Sequence, residues 1–136
     1  MSTLISVIHS DGDVIVLKME AGDMDVYCAE NILSELNQVI DKGAKFIVLD
    51  LSNVEYMDSV ALGALIQVLK RAQDIDVTIY LATLGPRAVR LFDLVGATKI
   101  FNIFKTTDEC LAEIEAVKIA SKRKNRRGSG LKADTK

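Results

Sequence analysis

The sequence is poor in residues that hold metal ions or serve as catalytic bases. It has one histidine, His9, and two cysteines, Cys28 and Cys110, that lie far apart in no metal-ligand spacing. A zinc site would lack ligands, and a Ser-His-Asp nucleophile would need an imidazole beside it. Neither of the common glycine-rich phosphate-binding loops is present either. We therefore expect a protein with no metal, no cofactor and no enzymatic activity.

Long hydrophobic runs are also missing. None approaches the roughly 20 residues that cross a bilayer, and the N-terminus up to His9 has neither a basic flank nor a signal-peptide cleavage site. Yet 49% of the 136 residues are apolar, enough for a real core without disulfide bonds. These features predict one soluble, cytoplasmic domain that does not insert into a membrane.

Charge is distributed very unevenly along the chain. Residues 1–117 contain 9 basic and 18 acidic residues, whereas residues 118–136 contain 8 basic residues and only Asp134 as an acid. Helical periodicity fades after about Ala120 into a run rich in lysine and arginine. We predict a folded acidic domain over residues 1–117 and a basic, disordered tail over residues 118–136.

Short strands alternate with amphipathic helices along the folded part. An Asp-Gly turn within Ser10–Asp13 separates two β-prone runs, which predicts an opening antiparallel hairpin. Three further strands then alternate with four helices, which favours an α/β fold with a mostly parallel sheet covered by helices. The predicted strands cover residues 4–9, 14–19, 46–51, 77–82 and 100–104, and the predicted helices begin near Ala29, Ser59, Pro86 and Thr106.

Asp58 and Ser59 stand where a buried strand leads through a short loop into a helix. Asp58 is a natural N-cap, and Ser59 would be the first helical residue, exposed near the positive end of the helix dipole. A phosphate on Ser59 would meet free backbone N–H groups and add charge beside Asp58, and near Asp23 and Asp25 if their loop lies on the same side. An ordinary capping pair would have the same residues, so both interpretations stay open here.

Four stretches, in the right order, resemble motifs of the STAS domain, especially in the bacterial anti-sigma factor antagonists. Val48 to Gly63 resembles the pattern D-L-S-x-V-x-[FY]-[MI]-D-S-[ST]-G-L-G that follows a hydrophobic strand, and Gly22 to Asp25 resembles the turn G-E-L-D. Gly85 to Phe92 is similar to the helix motif x-P-x-V-x-R-L-[FL]. Val95 to Phe101 is similar to the motif T-G-L-x-x-x-[FI] that follows it. The resemblance covers about residues 4–117 and implies an STAS-type mixed β-sheet with helices packed against it.

The resemblance also implies a mechanism. Ser59 matches the serine that a partner kinase, itself the anti-sigma factor, phosphorylates. The unphosphorylated antagonist binds that kinase, phosphorylation breaks the complex, and a PP2C-type phosphatase restores it. Asp58 matches the neighbour of the phosphoacceptor and Asp25 the turn aspartate near it. The implied partner-binding residues are Asp23, Asp25, Asp58, Val60 and Ala61.

Two residues depart from the family pattern. Val60 stands where the family usually has serine or threonine, and Ala61 where it usually has glycine. Val60 removes a hydroxyl that could position a phosphate, and Ala61 adds a methyl where a partner would approach the backbone. The alternative function is therefore a non-phosphorylated STAS scaffold whose basic tail contacts nucleic acid or an anionic surface. Any contact with nucleic acid would be confined to the tail.

A phosphoaspartate receiver domain is a rival within the same architecture. Asp50 ends a hydrophobic strand, Asp11 and Asp13 supply early acids, and Lys105 follows the last strand. A receiver needs a helix between its first two strands, however, where this sequence predicts a tight turn. Acid-stable phosphate would indicate Ser59 as the acceptor, and acid-labile phosphate would indicate Asp50.

Overall fold

The computed structural model describes residues 4–135, with side chains for residues 4–123. Within residues 4–135, seven strands, four α-helices and one short 3₁₀ helix follow one another. They are β1 (Ile5–Asp11), β2 (Val14–Met19), β3 (Asp23–Met24), α1 (Ala29–Asp41), β4 (Phe46–Asp50), β5 (Tyr56–Met57), α2 (Ser59–Asp74), β6 (Thr78–Ala82), α3 (Pro86–Val95), the 3₁₀ helix Ala97–Lys99, β7 (Asn102–Phe104) and α4 (Thr107–Thr135).

Five of the strands form the main sheet in the order β1-β2-β4-β6-β7, and β3 and β5 form a separate two-stranded pair. β1 and β2 are antiparallel and are joined by a tight turn in which Gly12 has a φ of +62°. All other neighbours in the sheet run parallel. The predicted α/β fold, with a sheet that is parallel apart from its opening hairpin, is confirmed.

The sheet is covered on both faces because its central strands alternate their apolar side chains between them. One face packs against α1, α2 and α3, through helix residues such as Ile32, Leu36, Leu65 and Phe92. The other packs against α4 through Cys110 and Ile114. The sheet residues on the first face are Ile15, Leu17, Met19, Ile47, Leu49, Ile79 and Leu81, and those on the second are Val14, Val16, Val48, Tyr80 and Ala82.

Parallel pairing places the carboxyl ends of β2, β4 and β6 at one edge of the sheet, so the loops that follow them lie together. The Asn53 Nδ2 atom donates to the Glu20 carbonyl at 2.6 Å, which joins the first two loops. A Cβ atom on Gly85, in the third loop, would lie 3.4 Å from the Val54 carbonyl. This edge carries the residues that the sequence singled out.

The structure differs from the sequence-based expectation in two places. The strands β3 and β5 were not expected, because two residues are too short to show a period. The other difference is α4, which continues to Thr135 where composition predicted an irregular segment. Lysine and arginine are good helix formers, and a helix already nucleated by packing needs only to be extended. The division into a domain and a tail at residue 117 stays a prediction, and Lys136 lies outside the described residues.

None of the helices within residues 4–135 is both long and apolar enough to span a bilayer.

Thr83, the residue after β6, has a left-handed backbone that does not suit it. Its φ is +61°, its N–H donates to the Phe104 carbonyl, and its hydroxyl donates to the Lys105 carbonyl at 3.2 Å. Left-handed geometry costs an L-residue about 1–2 kcal/mol, and asparagine tolerates it better than a β-branched residue does. We expect Thr83→Asn to raise the free energy of unfolding by about 1 kcal/mol, measured by urea denaturation.

The matched control is Thr78→Asn, because Thr78 lies in the regular backbone of β6, where asparagine is unfavourable. Thr78→Asn should lower stability. Equal effects of the two substitutions would show that the backbone at Thr83 is not the cause.

Candidate functional site

The short β3–β5 pair brings two separate loops together at the carboxyl edge of the sheet. Asp23 pairs with Tyr56, and Met24 with Met57. The Glu55 N–H donates to the Gly22 carbonyl at 2.7 Å, and the Asp58 N–H donates to the Met24 carbonyl at 2.9 Å. Residues 22–25 therefore lie directly beside the segment that leads into α2, on the same side of the sheet as Ser59.

The carboxylate of Asp58 holds this arrangement in place with three hydrogen bonds. Its backbone is extended (φ −107°, ψ 174°), and its Oδ1 accepts from the N–H groups of Val60 and Ala61 at 3.0 Å each. Its Oδ2 accepts from the Val26 N–H, also at 3.0 Å. One side chain thus caps α2 and ties the loop after β3 to the start of that helix.

Ser59 is the first residue of α2 and its side chain is exposed. Asp25 is half-buried nearby, where its Oδ1 accepts from the Tyr27 N–H at 3.0 Å and its own N–H approaches the Cys28 Sγ at 3.4 Å. Asp23 is exposed. Three of the predicted site residues, Asp23, Asp25 and Asp58, are therefore gathered around the predicted phosphoacceptor by backbone pairing.

The two segments that meet at Ser59 also carry exposed apolar side chains. Tyr27 is 90% exposed, Val26 51%, Val60 49% and Tyr56 42%, so all four are open to a partner. We call this region the Ser59 surface, which comprises Asp23, Asp25, Val26, Tyr27, Tyr56, Asp58, Ser59 and Val60. The two segments that build it, residues 20–30 and 50–63, contain seven acidic residues and no lysine or arginine. The surface is both apolar and strongly negative.

Ala61 does not belong to this surface. Its side chain is completely buried in the core beneath α2. The expectation that its methyl would meet an approaching partner is therefore wrong, because the methyl points to the core and only its N–H takes part in the cap. Val60, in contrast, is exposed immediately beside Ser59, so it is the departure from the family pattern that a partner would meet.

Val26, Tyr27 and Tyr56 were not predicted from the sequence. Their signal was weak, because Tyr56 lies in a two-residue strand and the other two lie in the turn after β3, where no alternation can be read. Exposure of an aromatic residue is also a property of the folded chain rather than of its local sequence.

No imidazole lies beside Ser59. His9 is in the edge strand β1 opposite Val16, and β2 lies between β1 and the strand that leads to the serine. Ser59 has carboxylates around it instead, and these would repel a developing negative charge rather than stabilise one. Ser59 therefore lacks the neighbours of a Ser-His-Asp nucleophile.

The fold and the site together define a small α/β binding domain that presents one exposed serine at the N-terminus of a helix. The chain belongs to the STAS domain family, whose model matches residues 6–110. The relationship predicted from the four motifs is confirmed.

Relatives and solved structures agree on this family. The anti-sigma-B factor antagonist of Staphylococcus aureus is 30% identical over 87 residues, which are 64% of this chain and 81% of that protein. An anti-sigma factor antagonist from Mycobacterium paratuberculosis has a TM-score of 0.70 at 26% identity, over 82% of this chain and 94% of the other. A putative one from Thermotoga maritima shares the fold, with a TM-score of 0.73 at 23% identity over 82% and 94% of the two chains.

The two thiols differ in access. Burial raises the pKa of Cys110 to about 11, and the carboxylates of Glu109 and Asp50 add to the rise. Burial is also the main cause of the raised pKa of Cys28, which is only partly buried. At pH 8 about one Cys110 thiol in a thousand would be ionised.

We expect iodoacetamide to label Cys28 well before Cys110 in the folded protein, because the Cys110 thiol is buried and stays protonated. In urea both thiols should be labelled. Mass spectrometry of the two peptides measures the rates. Equal rates without urea would contradict this assignment.

The role of Asp58 can be tested by separating its cap from its charge. Asp58→Ala removes all three accepted hydrogen bonds and should lower the free energy of unfolding by about 1–2 kcal/mol, measured by urea denaturation. Asp58→Asn keeps an oxygen that can cap α2 and should cost clearly less. If both substitutions cost the same, the charge rather than the cap holds the loops together.

Proposed function

We propose that this protein is an anti-sigma factor antagonist, a binding protein whose contact with an anti-sigma factor is controlled by phosphorylation of Ser59. The observation that carries the proposal is the exposed Ser59 at the start of α2, next to a capping aspartate and inside an apolar, acidic surface. The names of the curated relatives support the same activity.

The unphosphorylated Ser59 surface offers the partner an apolar contact. Four of its side chains are exposed and apolar or aromatic, and they lack long flexible stems: Val26, Tyr27, Tyr56 and Val60. Aromatic and rigid apolar side chains of this kind are common at the centre of protein interfaces. A partner seated there would cover the serine hydroxyl. The antagonist would then keep the anti-sigma factor away from its sigma factor, which is how it would regulate transcription.

A phosphate on Ser59 would act through charge rather than through a change of fold. The expectation from the sequence that a phosphate would meet free N–H groups there is not met: the N–H groups of Val60 and Ala61 already donate to Asp58, so they would offer a phosphate little compensation. The phosphate would add nearly two negative charges to a surface that carries only acids. A partner that fits the neutral hydroxyl would lose both the close contact and the electrostatic match.

The resemblance to the family supplies the rest of the proposed cycle. The partner would be a serine kinase that is itself the anti-sigma factor, and a PP2C-type phosphatase would remove the phosphate. Such partner switching would take place in the cytoplasm. The folded domain of residues 1–117 would carry the whole of this activity.

Val60 favours a second candidate, a scaffold that is never phosphorylated. An exposed valine stands directly after the acceptor, where the family usually has a hydroxyl residue. A kinase pocket that accepts serine or threonine at this position would have to accept a branched apolar side chain. Phosphopeptide mass spectrometry of the protein from its native cells separates the two candidates, since only the switch requires acid-stable phosphate on Ser59.

Substitutions at Ser59 test the switch directly. Ser59→Ala should bind the anti-sigma partner as tightly as the parent, because the neutral surface is kept. Ser59→Asp should weaken binding at least tenfold, which is about 1.4 kcal/mol, because it adds a charge to the acidic surface. Isothermal titration calorimetry with the purified partner measures both.

The matched control is Ser34→Asp, which adds the same charge at an exposed position of α1. It should leave binding unchanged. If Ser59→Asp bound as tightly as the parent, phosphorylation would not control this contact, whereas the membership of the STAS family would stand.

A further inference from the structure

We propose that the basic segment, residues 118–136, of one copy of this protein binds the Ser59 surface of a second copy. The association is head-to-tail, because it joins two different regions of the same chain. The basic segment lies outside the matched family region, which ends at residue 110. The association is therefore not one that family membership supplies.

The charges of the two regions complement each other. The basic segment has a net charge of +7, from eight basic residues and one acid. The two chain segments that build the Ser59 surface carry seven acids and no base. Tyr27 and Tyr56 add exposed aromatic rings to this surface. Carboxylates beside open aromatic rings are a suitable surface for lysine and arginine, through ion pairs and cation–π contacts.

Lys118, the first residue of the basic segment, already contacts a carboxylate and an aromatic ring within its own molecule. The Lys118 Nζ atom lies 2.7 Å from the Asp13 carboxylate and 5.7 Å from the centre of the Phe46 ring. The hydrogen bond from Lys118 is the main cause of the lowered pKa of Asp13. A carboxylate and an aromatic ring thus already hold one lysine of this segment, at a different place in the fold.

The geometry favours binding between copies over binding within one copy. Phe46 begins β4 and Asp50 ends it, so Lys118 lies at the edge of the sheet opposite the Ser59 surface. From there α4 continues as a helix to Thr135, about 25 Å further on. A helix of that length leads away from its own Ser59 surface but can reach that of a neighbouring molecule.

The edge that the basic segment leaves has no comparable excess of acid. Its acidic residues are interspersed with cations, and one acid there, Asp41, already forms an ion pair with Arg71. The acids of this edge are Asp11, Asp13, Asp41, Asp74 and Asp76, and its cations include Lys42, Lys45, Arg71 and Lys99. The Ser59 surface of a second copy is therefore the better electrostatic match.

Charge also favours association between copies over binding of the basic segment to nucleic acid. A polyanion would have to compete with the acidic domains of this protein, which are present at the same concentration as the basic segment itself. The domain of residues 1–117 carries a net charge of −9 and would repel a phosphate backbone. Association between copies satisfies both charged regions at once.

Self-association would cover the surface that we assign to the anti-sigma partner, and this consequence alone rests on the proposed function. Partner and basic segment would compete for one surface. A phosphate on Ser59 would strengthen the contact with the basic segment while it weakens the contact with the partner. Phosphorylated molecules would then associate with one another instead of remaining free.

Sedimentation velocity of the full chain over a wide range of protein concentrations tests the association, with no partner present. At about 20 mM NaCl we expect the sedimentation coefficient to rise with protein concentration, and at about 300 mM the association constant should fall at least about tenfold. A chain that stays monomeric at low salt and the highest concentration would overturn the proposal. So would an association that salt does not weaken.

Two full-length variants with reversed charges identify the surfaces involved. The first carries Lys122→Glu, Arg123→Glu and Lys124→Glu, and the second carries Asp23→Lys and Glu55→Lys, two exposed acids at the Ser59 surface and beside it. Each variant alone should associate much more weakly at low salt, because the first lowers the net charge of its basic segment from +7 to +1 and the second lowers that of its acidic segments from −7 to −3. An equimolar mixture should associate again, since the unchanged basic segment of the second variant fits the unchanged Ser59 surface of the first.

The control is Asp74→Lys with Asp93→Lys, which makes the same change of charge at exposed positions outside the Ser59 surface. It should associate like the parent. If the mixture stayed monomeric, or if the control lost association as fully as the second variant, net charge rather than this surface would explain the result. Binding to a DNA duplex by a chain that does not self-associate would instead assign the basic segment to nucleic acid. The anti-sigma partner appears in none of these measurements, so failure here leaves the proposed function intact.

Discussion

The carboxylate of Asp58 is the interaction on which the site depends. Its two oxygens accept from three backbone N–H groups that belong to two separate loops, at the start of α2 and after β3. The core of the sheet would form without it, because that core is built from alternating apolar residues. Without it, only the backbone pairing of β3 with β5 would hold the Ser59 segment beside residues 22–25, and the loop that carries Val26 and Tyr27 would lose its bond to the start of α2. A binding surface requires side chains to be held in one arrangement.

Charge gives the molecule a second level of organisation. A single chain has two acidic segments without lysine or arginine, residues 20–30 and 50–63, at the carboxyl edge of the sheet, and its strongest basic run lies beyond the opposite edge. The small net charge of the whole chain therefore hides an acidic region and a basic region, which attract partners of opposite charge. A phosphate on Ser59 would shift the balance of both proposed contacts, because it has the same sign as the acidic surface that carries this serine.

Most of the fold could be predicted from local pattern. The hairpin, the three later strands and the starts of α1, α2 and α3 follow from period, from glycine and proline, and from the Asp58 cap, and these are short-range properties. The β3–β5 pair could not be predicted, since a two-residue strand has no period and is defined only by its neighbour. The helical continuation of α4 was also missed, because charge argued for disorder where helix propensity was adequate.

The sequence by itself determined the family, the alternation of strands and helices, the Asp58-Ser59 pair at the start of a helix and the separation of charge, because each of these depends on residues that are neighbours in the chain. Only the tertiary structure decided which side chains share the Ser59 surface. It showed that Val26, Tyr27 and Tyr56 are exposed there together with Val60, and that Ala61 is buried in the core. The reason is that adjacent residues at a helix start point in different directions, while residues 30 positions apart meet only once parallel strands have brought their loops to one edge.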